Sequence, residues 1–143
     1  SENSSGREFF LFNTQFDHKG ETARQMTAEL VTGKVRELAA GYQAFVTGDI
    51  NADQWSVPYE TITSTLRDTH TYSQSRVNGD WNTYSNYVYR TSPAYDGARI
   101  DHVFFAPTSL DYYIHKWHLI NDDFNRKYPS DHFPVMVIYS FKK

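Results

Sequence analysis

The sequence contains no cysteine. Disulfides, thiolate nucleophiles and zinc–sulfur sites are therefore excluded. It has no apolar run that approaches the length of a membrane span, no signal peptide is predicted, and the cellular location stays open. The formal net charge is −3 at pH 7, so the chain has no general attraction to a polyanion. If it binds nucleic acid or a phosphate ester, a metal ion or a local basic spot must supply the positive charge.

What the sequence does contain is enough apolar and aromatic residues for one folded domain. Its 143 residues include 17% aromatics, which favours a packed core over disorder. Short continuous apolar runs are typical of strands that are buried on both faces. Such runs predict strands over residues 7–14, 42–48, 99–106, 112–120 and 133–141.

Two helices are predicted between these strands. Residues 20–40 show helical spacing, with an apolar stripe that includes Met26, Leu30 and Val35. A shorter helix is predicted from Pro58 to about residue 66, because proline suits the first helical turn. Residues 70–99 are predicted to be a long irregular excursion. The alternation of strands and helices predicts one α/β unit.

Polar and titratable residues cluster at the ends of the predicted strands. In α/β folds ligands usually bind at strand ends, so these side chains are predicted to line one shared pocket. The residues concerned are Asn13, Gln15, Asp49, Asn51, Asp101, Asp131 and His132.

Each of these residues also has a simpler interpretation. Asp49 and Asp131 could cap turns, since such side chains hydrogen-bond their own backbone. Asp101 could pair with Arg99 on the surface, and His132 could be a core histidine with its hydrogen bonds satisfied. Four further histidines (His70, His102, His115 and His118) are given no site role, and those in predicted strands (His102, His115 and His118) are expected to face solvent or cross-strand partners.

Taken together, the motifs resemble those of a known family. GDINA (48–52), RID (99–101) and SDHFPV (130–135) follow one another in that order, after NTQFDH (13–18). This set is similar to the endonuclease/exonuclease/phosphatase superfamily, which has the deoxyribonuclease I-like fold. The resemblance extends from about Phe9 to Phe141.

The resemblance implies metal-dependent hydrolysis of a phosphodiester or phosphomonoester. It implies that Asp49 orients and deprotonates the attacking water, and that Asn51 donates to the phosphate or positions that water. His132 would lie beside the phosphate and stabilise the charge that builds up there, while Asp101 fixes the tautomer of His132. Asp131 would be the ligand of Mg²⁺ or Mn²⁺, directly or through water.

Two departures from the family pattern limit what the resemblance implies. The family's N-terminal half normally brings an asparagine at the end of its first strand and a glutamate that is the principal metal ligand. Neither motif is found here. In NTQFDH, Gln15 stands at the usual histidine. Asn13 and Gln15 are expected to contact phosphate, but a glutamine carries no charge and transfers no proton.

The missing motifs predict that residues 1–143 form a single unit, equivalent to the C-terminal half of the family's domain. The family fold is a four-layer sandwich, and this chain is expected to supply about one mostly antiparallel sheet, flanked by helices. One face of that sheet would be bare, with more apolar surface than a monomer tolerates. A second protomer, or a separate chain that carries the N-terminal half, is therefore expected to cover it.

Three functions remain open at this point. The first is part of a metal-dependent phosphoesterase that needs an N-terminal half for activity. The second is a catalytically impaired phosphate-binding or interaction module of the same fold. The third is a structural fragment whose site residues serve only as turn caps. The expected partner is a phosphate-ester substrate, with nucleic acid as one candidate. Aromatic residues in the excursion either stack on bases or sugars or only pack against the sheet; they are Tyr72, Trp81, Tyr84, Tyr87, Tyr89 and Tyr95.

Overall fold

The computed structural model describes residues 6–93, 96–108 and 112–141, apart from the side chain of Tyr112. Tyr95 therefore lies outside the described residues. Strands and helices alternate through most of the chain, in the order β1 (Phe9–Gln15), α1 (Glu21–Leu38), β2 (Gln43–Asp49), α2 (Val57–Thr63), β3 (Arg67–Asp68), α3 (Thr69–Tyr72), β4 (Ser75–Val77), β5 (Asp101–Phe105), β6 (Tyr112–Leu119) and β7 (Val135–Phe141). Within the described ranges no helix is both long and apolar enough to cross a membrane.

The strands divide into two sheets. Four strands form the first sheet, in the order β1-β2-β5-β3, and three form the second, in the order β4-β6-β7. β1 and β2 are parallel and are joined by the crossover helix α1, as a parallel pair requires. β2–β5, β3–β5 and β6–β7 pair antiparallel, and β4–β6 parallel. The mixed, mostly antiparallel architecture agrees with the predicted fold class.

The described strands form two sheets rather than the one sheet expected, and the two sheets pack against each other within this chain. Phe45 of β2 and Phe105 of β5 are buried in one cluster with Ile114 of β6. The rings of Phe45 and Tyr139, from opposite sheets, have centroids 4.6 Å apart. Side chains alternate along a strand, so Phe45 contacts the second sheet while Val46 faces the helices. At least part of the inner face is thus covered without a partner chain.

Helix α1 packs on the other face of the first sheet through small side chains. Ala28 and Val35 are buried in a cluster that also contains Val46 and Phe104. The predicted stripe is wrong in part, because Met26 and Leu30 are 65% and 60% exposed. Small residues let the helix approach the sheet closely, which turns the longer side chains toward solvent.

A buried polar cluster lies at the edge of this core. Tyr59 Oη donates to Asp68 Oδ2 at 2.9 Å, and the Arg99 guanidinium lies 3.3 Å from the same oxygen. His102 is 3% exposed, and its Nδ1 lies 3.9 Å from that carboxylate. His102 on β5 therefore faces a cross-strand partner, one of the two environments expected for it, because Asp68 lies on the paired strand β3. The interpretation that Asp101 pairs with Arg99 on the surface is wrong, because Arg99 pairs with buried Asp68.

The burial of His102 predicts a loss of stability in acid. Desolvation lowers the pKa of His102 from 6.5 to about 4, although the charge of Asp68 opposes the shift. The unfolded chain therefore binds a proton that the folded chain does not, and the free energy of unfolding falls as pH drops from 6.5 toward 4. The loss amounts to about 3 kcal/mol at most. We expect urea denaturation between pH 4 and 8 to show this fall.

The control is a pair of matched variants. His102→Gln removes the titrating group and should flatten the dependence of unfolding free energy on pH, whereas His18→Gln changes an exposed histidine and should leave it unchanged. An equally steep acid limb in His102→Gln would assign the effect to other groups.

Candidate active site

The end of β2 holds Asp49 and Asn51 in a fixed arrangement. The backbone N–H of Asn51 donates to Asp49 Oδ1 at 2.8 Å, and its side-chain amide donates to Asp49 Oδ2 at 3.0 Å. Asn51 has φ 47°, a left-handed conformation that asparagine tolerates better than most residues. Gly48 has φ 145°, and a Cβ there would lie 1.7 Å from the carbonyl oxygen of Thr14. Only glycine fits this close approach of β1 and β2.

Asp101 and His132 form a hydrogen-bonded pair beside that strand end. Asp101 opens β5 and is the register partner of Asp49 across the antiparallel pair. His132 precedes β7 and lies with its Nδ1 2.8 Å from Asp101 Oδ2. Since a carboxylate accepts, Nδ1–H donates, and Nε2 is the ring nitrogen left to face a substrate. Ligand atoms of Asp49, Asp101 and His132 all lie within 4.8 Å of one another.

The charges around this pair favour a protonated imidazole. Burial raises the pKa of the Asp101 carboxyl, while hydrogen bonds from His132 and Thr83 oppose the shift. Burial alone would lower the pKa of His132, but the hydrogen bond to Asp101 and the charges of Asp101, Asp49 and Asp131 outweigh it. The pKa of His132 is therefore raised. A cationic imidazole at this place attracts an anionic substrate.

One open cavity of about 820 Å³ collects most of the expected site residues. Asp49, Asn51, Asp131 and His132 line it, and Gln15 lines it from the end of β1. The structure thus brings together residues from both sheets at one end of the sandwich.

Asn13 lies apart from this group. Its Oδ1 accepts a hydrogen bond from Thr47 Oγ1 at 3.0 Å, and it does not line the cavity. Asn13 shares a strand face with Gln15 but lies two residues further from the strand end. The hydrogen bond from Thr47 holds its side chain at that position. The geometry gives no support to an Asn13 contact with phosphate.

Sequence reasoning missed Thr83, which joins the two halves of the site. Thr83 is fully buried, and its Oγ1 accepts from the backbone N–H groups of Ile100 and Asp101 at 2.9 and 3.1 Å. Its carbonyl accepts from Phe133 N at 2.8 Å. One residue thus fixes the segment that carries Asp101 and the segment that carries His132. No motif marks it, because it lies within the irregular excursion.

Tyr84, the next residue, borders the cavity, whereas the sequence left open whether it stacks on a ligand or only packs against the sheet. It forms an isolated antiparallel bridge with His132, and the two rings have centroids 5.0 Å apart. Tyr84 is 43% exposed. Its ring therefore forms part of the accessible wall beside the imidazole.

Comparisons with known proteins agree with this geometry. The model of the endonuclease/exonuclease/phosphatase family matches residues 5–132. A mannosyl-6-phosphatase of Bacteroides thetaiotaomicron is 32% identical, with a TM-score of 0.84 over 96% of this chain and 53% of that one. A family protein from the same organism is 33% identical, with a TM-score of 0.82 over 94% of this chain and 51% of that one. A search of curated proteins returned no match.

A third solved structure, a family protein of Bacteroides vulgatus, is 27% identical, with a TM-score of 0.77, and covers 97% of this chain and 52% of that one. The chain thus spans about half the length of the solved structures that it matches. The family match covers most of the sequence and includes the strand ends that carry Asp49, Asp101 and His132. The chain belongs to the endonuclease/exonuclease/phosphatase family.

Proposed function

We propose that this chain is part of a metal-dependent phosphoesterase that cleaves a phosphomonoester or phosphodiester by attack of water. The proposal depends on one observation: His132, whose Nδ1 lies 2.8 Å from Asp101 Oδ2, lines the same cavity as Asp49 and Asn51. A histidine oriented by one carboxylate and facing a second carboxylate offers an acidic and a basic group to a phosphate between them.

Asp49 is the proposed general base. Its two oxygens are positioned by the hydrogen bonds from Asn51, so a water in the cavity can be held in one orientation. As the water oxygen bonds to phosphorus, its proton passes to Asp49, and the ester P–O bond breaks. The leaving oxygen keeps the bonding electron pair and takes a proton from solvent.

His132 and Asp101 are proposed to stabilise the charge on the phosphate. In the cationic state that its raised pKa favours, His132 donates from Nε2 to a phosphate oxygen. Asp101 does not contact the substrate in this scheme. It keeps the proton on Nδ1 and holds the ring in place, and Thr83 in turn holds Asp101.

The chemistry of the cavity suits Mg²⁺ or Mn²⁺. Hard divalent ions prefer oxygen ligands, and the carboxylates of Asp49 and Asp131 line the same cavity in a chain without cysteine. We propose that Asp131 holds the ion, directly or through water, and that further ligands come from outside residues 1–143. When bound, the ion supplies the positive charge that a chain of net charge −3 lacks.

Activity is proposed to require a further segment, in the same chain or a separate one. This chain spans about half of the solved structures that it matches. Among the described residues, β1 and β7 each end a sheet, so their outer edges are open to another strand. A segment equivalent to the N-terminal half of the family's domain is the proposed partner at these edges, and a second protomer is the alternative.

The proposed substrate is a phosphate monoester of a sugar. The solved structure of 32% identity is named a mannosyl-6-phosphatase, which makes this class the first to test. Nucleic acid is less suited, because phosphate-backbone binding depends on many cationic side chains and the net charge here is −3.

A second function is favoured by one residue. Gln15 lines the cavity where the family pattern has a histidine, and an amide can bind phosphate but cannot transfer a proton. The chain would then be a phosphate-binding module of impaired activity.

The test is a phosphate-release assay with mannose 6-phosphate as substrate. We expect residues 1–143 together with the further segment, termed the full-length protein, to hydrolyse it with Mg²⁺ or Mn²⁺, to lose activity in EDTA, and to recover when the ion is restored, because the ion supplies charge at the cavity. Residues 1–143 alone are expected to give no useful rate.

Three outcomes separate the proposals. Turnover that survives EDTA contradicts the metal role, and turnover by residues 1–143 alone contradicts the need for a further segment. Binding of inorganic phosphate by the full-length protein without turnover of any phosphate ester supports the binding module instead.

A further inference from the structure

A second cavity adjoins the candidate active site on the far side of Tyr84. Its volume is about 260 Å³, just below the usual range of about 300–1,000 Å³ for ligand pockets. Tyr84 lines both cavities, so a molecule with its phosphate beside His132 can extend past this ring into the second one. The size suits a single ring rather than a chain of several.

The walls of this cavity combine aromatic faces with hydrogen-bonding groups. Apolar ring surface suits the C–H face of a ligand, and the amide, hydroxyl and guanidinium groups suit a ligand rich in hydroxyls. The aromatic residues are Trp81, Tyr84 and Phe133, and the polar ones include Ser85, Asn86 and Arg90.

The loop that forms the cavity is fixed to the catalytic segment. Ser85 N and Asn86 N donate to the carbonyl oxygen of Asp131 at 2.7 and 3.2 Å, and Ser85 Oγ donates to it at 2.9 Å. The Tyr84 hydroxyl contacts Asn86 Oδ1 at 3.0 Å. The cavity therefore keeps a constant distance from Asp131 and His132, as a subsite for the remainder of a substrate must.

The same loop has a strained backbone. Asn86 and Tyr87 follow one another with φ 50° and 61°, and a left-handed conformation is uncommon for a bulky residue such as tyrosine. Strain of this kind is retained where neighbouring contacts impose it, and it clusters at ligand sites. Asn86, the first of these two residues, is one of those that bond the Asp131 carbonyl.

We infer that this cavity is the subsite for the sugar ring of the substrate, with Tyr84 as the stacking face and Arg90 as a hydrogen-bond donor to ring hydroxyls. The inference rests on the proposed phosphoesterase function and adds the place where the leaving group binds. A nucleobase would also stack on Tyr84. However, Arg90 is the only cation among the described residues that line the cavity, which favours a neutral ring over a polynucleotide.

Binding can be measured apart from catalysis. We would titrate the full-length protein with methyl α-mannoside, methyl α-glucoside and adenosine 5′-monophosphate, and follow backbone and indole N–H signals by NMR. At least one hexoside is expected to shift the signals of residues 84–90 and of the Trp81 indole.

Two variants test the assignment. Arg90→Met keeps the apolar stem of an exposed side chain and removes the guanidinium, so hexoside affinity should fall about tenfold or more, as expected for loss of a charged hydrogen-bond donor. Arg36→Met makes the same change at the exposed end of α1 and should have no effect. Val88→Trp fills the cavity from an exposed position and should abolish binding.

The outcomes distinguish the subsite from the proposed function. Hexoside shifts confined to this loop, without hydrolysis of any phosphate ester, retain the subsite and reject the function. Hydrolysis with a KM that Arg90→Met and Val88→Trp leave unchanged retains the function and rejects the subsite. Stronger shifts of the same signals with adenosine 5′-monophosphate than with either hexoside overturn the assignment to a sugar.

Discussion

Replacement of Asp49 by asparagine is expected to lower kcat of the full-length protein by about 10²–10⁴-fold, the usual contribution of a general base. Asparagine keeps the size of the side chain and can still accept a hydrogen bond from Asn51, so the turn after β2 should survive. It cannot take a proton from water. The measurement is phosphate release at saturating metal and substrate, with circular dichroism to show that the fold is retained.

Asp53→Asn is the matched control for this experiment. Asp53 follows the same turn, but its carboxylate accepts from Trp55 N at 3.0 Å, and it does not line the cavity. Its replacement should leave kcat within about twofold, since isolated surface changes have small effects. Equal losses in the two variants would point to general damage to the turn, and an active Asp49→Asn enzyme would remove Asp49 from the role of base.

Replacement of His132 by glutamine is expected to have a comparable effect, about 10²–10⁴-fold in kcat. Glutamine can donate hydrogen bonds from its amide but has no positive charge to offer the phosphate. Asp101→Asn should cost less on its own, because the imidazole remains. In addition, the alkaline limb of the pH–rate profile should move to lower pH in Asp101→Asn, since the hydrogen bond and charge that raise the pKa of His132 are lost.

The double variant decides whether Asp101 acts through His132. If it does, Asp101→Asn should cost almost nothing further in the His132→Gln background, because the group that it positions is already gone. Full additivity of the two losses in ln kcat would show that Asp101 contributes independently, for example as a metal ligand. An unmoved pH profile in Asp101→Asn would contradict its effect on His132.

The strands were predictable because their signal is local. Apolar runs placed the five longer strands within two residues of the observed bounds at each end. Because the signal is local, it does not show that the strands divide into two sheets. A continuous apolar run looks alike in either sheet, and the sequence does not show that Phe45 contacts Tyr139 across the sandwich. Pairing between distant segments decides this, and no single segment contains that information.

The site was predictable only where residues lie next to recognisable turns. Asp49, Asn51, Asp101 and His132 stand at strand ends and carry the family motifs, so their sequence positions alone suggested proximity. Thr83 has no such mark, since its importance comes from three hydrogen bonds to segments 17 or more residues away along the chain. The identity of the cross-strand partner of His102 was missed for a similar reason. Its partner Asp68 comes from β3, which is two residues long.

The division of the site between two sheets has a consequence for how such a protein can diversify. Asp49 and Asp101 belong to one sheet, while His132 leads into the other. The distances between the reactive side chains therefore depend on how the two sheets pack against each other. Substitutions of residues between the sheets, such as Phe45 and Ile114, are expected to displace the reactive side chains. The loop of residues 84–90 is held to the Asp131 carbonyl mainly by backbone N–H groups, so side chains that line the second cavity, such as Val88 and Arg90, can change while that attachment is kept. New specificities should thus arise by side-chain changes in this loop, with the packing between the sheets unchanged.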